Sequence, residues 1–86
     1  MSVVFSHEIK AEGGFIVFRV FTSGDGRMAG RKVLVPERSI EDIWPGDEAP
    51  LDTGRKYLRI IHRILRDKIE KNEFNVTDNG DFHILL

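Results

Sequence analysis

Five cations recur between positions 55 and 66: Arg55, Lys56, Arg59, Arg63 and Arg66. At about 100° per residue they fall on one side of a helix, opposite Tyr57, Leu58, Ile61, Ile64, Leu65 and Ile69. A face of this kind can follow a phosphate backbone and release its counterions, which makes binding salt-sensitive. The same pattern also describes the solvated face of an amphipathic helix. Asp67 stands four residues after Arg63 and Glu70 four after Arg66, a spacing that offers local compensation. No aromatic side chain is interleaved on that face for base stacking. The second candidate is the loop Trp44-Pro45-Gly46-Asp47-Glu48-Ala49-Pro50. Tryptophan is enriched at protein-binding hot spots, and Asp47 and Glu48 would complement a basic partner. The competing role for Trp44 is to cap a small core.

Other reactive residue types do not assemble into a signature. The histidines are His7, His62 and His83. Zinc needs three or four convergent ligands, and neither HxH nor HExxH spacing occurs. His7 and His83 would meet only if the terminal strands pair, with Glu8 nearby; His62 sits at the margin of the helix's apolar face as a packing residue. Ser6-His7-Glu8 cannot act as a triad, because neighbours in a strand point to opposite faces. Gly24-Asp25-Gly26-Arg27-Met28-Ala29 matches G-x-G-x-x-A, but that fingerprint requires a helix to follow, and Arg31-Lys32-Val33-Leu34-Val35 reads as strand. Asp78-Asn79-Gly80-Asp81 lacks the ligand spacing of a calcium loop. Asn75-Val76-Thr77 is a glycosylation sequon with nothing to direct it to a secretory route. A small chain also has little room for an enclosed pocket. The expectation is a protein that is not an enzyme and carries no cofactor or metal.

The elements that would position these residues follow from the pattern. The 86 residues suggest one domain, 1–86, with a small core. The absence of cysteine removes disulfides and thiolate chemistry and fits a reducing, cytoplasmic setting. No signal peptide and no membrane-length apolar run is visible. Net charge is −1, but residues 51–71 hold seven basic and three acidic groups, while residues 36–50 hold one basic and five acidic. Val3–Lys10 reads as a strand contributing Val3, Phe5 and Ile9. Glycine at positions 13 and 14 then marks a turn. Phe15–Thr22 is the strongest strand, apolar on both faces and hence central. Ser23–Gly26 is a hairpin loop, and Met28–Val35, with Gly30, Arg31 and Lys32 at its middle, reads as an edge strand. Its Arg27–Lys32 stretch could accept a partner strand, which adds Arg31 to Trp44, Asp47 and Glu48 as interaction candidates. The same bare edge suggests a symmetric homodimer.

Ser39-Ile40-Glu41-Asp42 suggests a capping box for a short helix over Glu37–Ile43. A long helix is expected over Gly54–Lys71, capped by Asp52 or Thr53 and stopped by Asn72. Phe74–Thr77 and Phe82–Leu86 read as strands around an Asn-Gly turn. The fold class is α+β: a mainly antiparallel sheet of about five strands, β-β-β-α-α-β-β, with one long helix on one face. Whether the strands joined across the helices run parallel is left open.

Phe15-Ile16-Val17-Phe18, Ser39-Ile40-Glu41-Asp42, Lys68-Ile69-Glu70 and Gly80-Asp81-Phe82-His83-Ile84-Leu85-Leu86 together resemble a family of short uncharacterised bacterial proteins, a domain of unknown function. That family has a strand meander, a Ser-initiated short helix, a long helix and a final Asp-Gly strand. The resemblance implies a fold and no chemistry. The sequence therefore points first to a non-enzymatic protein-interaction or regulatory module, with an inhibitor of a larger complex as one form. The alternative is a nucleic-acid-binding protein using Arg55, Lys56, Arg59, Arg63 and Arg66.

Overall fold

The computed structural model describes residues 2–24 and 26–86; Met1, and Asp25 of the expected Ser23–Gly26 loop, lie outside the described residues. Three long strands come first: β1 (Ser2–Glu12), β2 (Phe15–Gly24) and β3 (Arg27–Pro36). Gly13 and Gly14 turn the chain between β1 and β2 with φ of 58° and 85°. Two successive positive φ values are what a tight two-residue hairpin needs, and only glycine adopts both at no steric cost. Three helices follow: α1 (Glu37–Ile43), α2 (Pro50–Lys56) and α3 (Leu58–Glu70). Two short strands close the chain, β4 (Asn75–Val76) and β5 (Phe82–His83).

The sheet order is β1-β2-β3-β5-β4, with β5 parallel to β3 and every other pair antiparallel. The architecture is thus the expected α+β fold, with the open question answered by a parallel crossover through the three helices. The core lies on one face of the sheet. Ile16, Phe18, Val20, Val33 and Val35 project from β2 and β3 and are fully buried beneath Ile40, Ile61, Leu65 and Ile69. The alternation of β2 is as expected, and β2 is central.

Several details depart from expectation. The long helix is two helices. Tyr57 leaves helical geometry (φ −108°, ψ 25°) while its N–H still reaches the Thr53 carbonyl at 3.0 Å and its carbonyl accepts from Ile61 N–H at 2.9 Å. Its ring stacks on Trp44, with centroids 4.6 Å apart and planes within 4°. Asp52 and Thr53 do not cap; they lie inside α2, which begins at Pro50, where a proline's missing N–H costs nothing. Nor is there a capping box at Ser39, because α1 already starts at Glu37, whose N–H is satisfied by the Gly14 carbonyl at 3.1 Å. The Ser39 hydroxyl instead accepts the Leu86 N–H at 2.8 Å, tying the last residue to α1.

β3 is not simply an edge strand. It lies between β2 and β5, but β5 pairs with only Val33 and Leu34. β4 and β5 are shorter than expected. They are joined by a loop in which Gly80 has φ 82° and the Thr77 hydroxyl accepts the Asp81 N–H at 3.1 Å. The stop at Asn72 is as expected. Its φ is 58°, its N–H donates to Ile69, and Glu73 N–H donates to Lys68, which together satisfy two of the last helical carbonyls.

Close approach of α2 to the sheet depends on Gly54. A Cβ there would lie 3.0 Å from the Ile9 Cδ1 and 3.7 Å from the Ile16 Cγ2. Gly54→Leu should therefore overpack this contact and destabilise the protein by about 1–3 kcal/mol, measured as a lower midpoint in urea. An unchanged midpoint would mean that α2 does not sit on Ile9.

Candidate functional site

Two regions collect the candidate side chains. The first is built by two irregularities. In β1, Phe5 pairs with Val20 and Ile9 pairs with Phe18, so β1 carries two more residues than β2 between those pairs. This bulge at Ser6-His7-Glu8 re-aims the local side chains, as bulges do. Across from it, the break at Tyr57 brings the end of α2 against the start of α3. Between them lies an open cleft of about 550 Å³, lined by His7, Arg55, Lys56, Tyr57, Arg59 and His62 among others. Among the described residues, no acidic side chain lines it.

His62 forms one wall. Its ring stacks on Phe5, centroids 4.5 Å apart and planes within 13°, and meets Phe18 edge-on at 6.0 Å. The Nε2 atom is buried without a hydrogen-bond partner. Burial holds the His62 pKa below its ordinary 6.5, helped by the nearby His7 and by Arg66. The anticipated compensation of the helix cations does not form. Asp67 pairs with Lys71 at 3.1 Å, and Arg66 lies over the Phe5 ring, 5.7 Å from its centroid. Among the described residues, Arg55, Arg59, Arg63 and Arg66 form no ion pair, whereas Lys56 reaches Glu48 at 3.5 Å.

The second region is the free length of β3. The Leu34 carbonyl accepts from Ile84 N–H at 3.1 Å, so Leu34 directs its backbone groups toward β5. With a period of two, Lys32, Gly30 and Met28 direct theirs the same way; the pairing of Val33 with Phe82 engages the Lys32 carbonyl, and beyond it β5 no longer reaches. Residues 26–32 are all exposed, and Met28 is 59% exposed. Arg31 points elsewhere. It donates to the Gly80 carbonyl at 2.9 Å with its guanidinium 5.5 Å from the Phe82 ring, holding the β4–β5 loop against β3.

The remaining candidates are separate. Trp44 is half-buried and packed on the core against Tyr57, while Asp47 and Glu48 are exposed beside it. His7 and His83 do not meet, because β2 and β3 lie between β1 and β5; His83 contacts Phe15 edge-on at 5.7 Å. Among the described residues no group of three His, Asp or Glu side chains is placed to hold a metal, and no helix is long and apolar enough to cross a membrane. What the sequence reading missed is that His7 and His62 join Arg55 and Arg59. The only available signal was the polar run Ser6-His7-Glu8 interrupting the alternation of β1.

No family model, no curated protein and no solved structure matches this chain.

Two outcomes are expected. Trp44→Ala should cost about 1–3 kcal/mol, because it removes a stacked, half-buried ring; an unaltered unfolding midpoint would contradict that packing. For His62, protonation favours the unfolded chain, since its folded pKa is the lower one. Its contribution is therefore present above about pH 6.5 and is lost as pH falls through the folded value. His62→Phe should flatten the fall in melting temperature between about pH 7.5 and 5; an identical pH profile in the variant would disprove that linkage.

Proposed function

We propose that this protein is a small non-enzymatic protein-interaction module acting in the cytoplasm, and that it docks an extended acidic segment of a partner onto the free edge of β3. The observation that carries this reading is the unpaired stretch Arg27–Lys32 beyond the two residues covered by β5. Unpaired strand edges take up extended peptides through main-chain hydrogen bonds. Here the outward groups of Met28 and Gly30, with the N–H of Lys32, would supply them.

The other edges are less suited. β1 is interrupted by its bulge and carries Glu8, Lys10 and Glu12, while β4 has only two residues. Bulges, charge and shortness are the usual ways of blunting an edge. On β3 the charges are of one sign. Arg27, Arg31 and Lys32 lie on the strand, and Arg19 stands directly opposite Lys32 on β2. Pairing two copies of this edge would set like charges together, at a cost; an acidic segment of another chain would neutralise them. A cysteine-free composition supports a reducing compartment.

The test is capture from nuclease-treated source lysate by the wild-type chain, by Met28→Pro, and by Arg27→Glu/Lys32→Glu. Met28→Pro deletes one outward donor and leaves the bonds to β2 in place. The partner held by the wild type should be lost from both edge variants and kept by Arg63→Glu. A partner retained by both edge variants would refute docking at β3.

A further inference from the structure

The cleft between the β1 bulge and the α2–α3 junction is not used by strand docking, and it has a different chemistry. It gathers two arginines, one lysine and two imidazoles around about 550 Å³ of open space; among the described residues the arginines have no acidic partner and no carboxylate stands in its walls. Leaving such cations unneutralised is unfavourable unless water or an anion answers them. Arginine presents a planar fork of donors that matches phosphate oxygens two at a time. Tyr57 and Leu58 are half-buried in the same wall, and Ile60 is 50% exposed there, so an apolar surface adjoins the cationic one.

We propose that this cleft binds a phosphate group, presented by a polynucleotide backbone or by a free nucleotide, with Arg55 and Arg59 as its ionic partners and His7 as a donor at the rim. Two structural features converge on it. The bulge places His7 on the cleft, and His62 closes the wall through its stack on Phe5, opposite Arg55 and Arg59, which are neighbours by their four-residue spacing. Beyond the cleft, Arg63 and Arg66 continue from Arg59 at spacings of four and seven residues along exposed α3. Seven residues of helix rise about 10 Å, so a bound strand would meet these cations in succession. That continuation favours the polymer as the source of the phosphate.

The experiment is fluorescence anisotropy of the full chain with a 5′-labelled fifteen-residue oligothymidylate, with unlabelled ADP as competitor. Arg55→Glu/Arg59→Glu should weaken binding at least tenfold and make it less salt-dependent, by about one unit of slope per lost contact. His7→Ala lies on a different element, should also weaken binding, and serves if the helix variant does not fold. Lys71→Glu, at the far end of α3, should behave as wild type. Oligothymidylate binding that ADP does not displace assigns the polymer, and displacement by ADP assigns the free nucleotide; both support the cleft. No binding of the oligothymidylate together with none of ADP by isothermal titration calorimetry, or binding indifferent to Arg55→Glu/Arg59→Glu and to His7→Ala, overturns it.

Discussion

All three helices lie on one side of the sheet, and their burial of Ile16, Phe18, Val20, Val33 and Val35 sets the scale of the molecule. The thirteen residues of α3 span about 20 Å. The ten residues of each strand in the β2–β3 ribbon span about 33 Å. One helix length cannot cover one ribbon length. The ribbon therefore runs past its own core, and the molecule is 44 Å along its longest axis against 26 and 21 Å across it. The returning chain repeats the limit: β5 meets β3 only where the core is, at Val33 and Leu34.

Both candidate surfaces follow from that packing. Where the helices end, β3 keeps an edge that, among the described residues, β5 does not pair, and that stretch carries Arg27, Arg31 and Lys32. Where the helices must stay close to β1 and β2, the chain accommodates them by breaking regular structure. Gly54 lets α2 approach Ile9, Tyr57 redirects the chain into α3, and the bulge in β1 follows directly after Phe5, on which His62 stacks. The cationic cleft is the opening left between those adjustments. Trp44 belongs to the same framework, since its stacking on Tyr57 supports the break.

Much of this was legible from residue pattern. The alternation of Phe15–Thr22 gave the central strand, the two glycines at positions 13 and 14 gave the first turn, and Asn72 gave the helix stop. The rest was decided by contacts between distant segments. Nothing in the local propensity of Tyr57 announces a break, and the ring it stacks on there, Trp44, stands thirteen residues earlier. Ser39 has the chemistry of a cap, but its hydroxyl is taken by Leu86, and the N–H it would have served belongs to a helix already started against Gly14. The five cations were visible as a face; their convergence with His7 depends on a bulge whose register only the pairing with β2 defines. The free edge of β3 was anticipated, but not that β5 would cover its other end.

Beyond the reach of β5, the outward N–H groups of Met28, Gly30 and Lys32 should be open in the free protein. Amide hydrogen exchange, resolved residue by residue by NMR on the isolated chain, tests it most directly. Met28, Gly30 and Lys32 should exchange rapidly, while Ala29 and Arg31, whose backbone groups face β2, should be protected. Equal protection of Met28, Gly30 and Lys32 would show the edge to be already occupied, and would contradict the account.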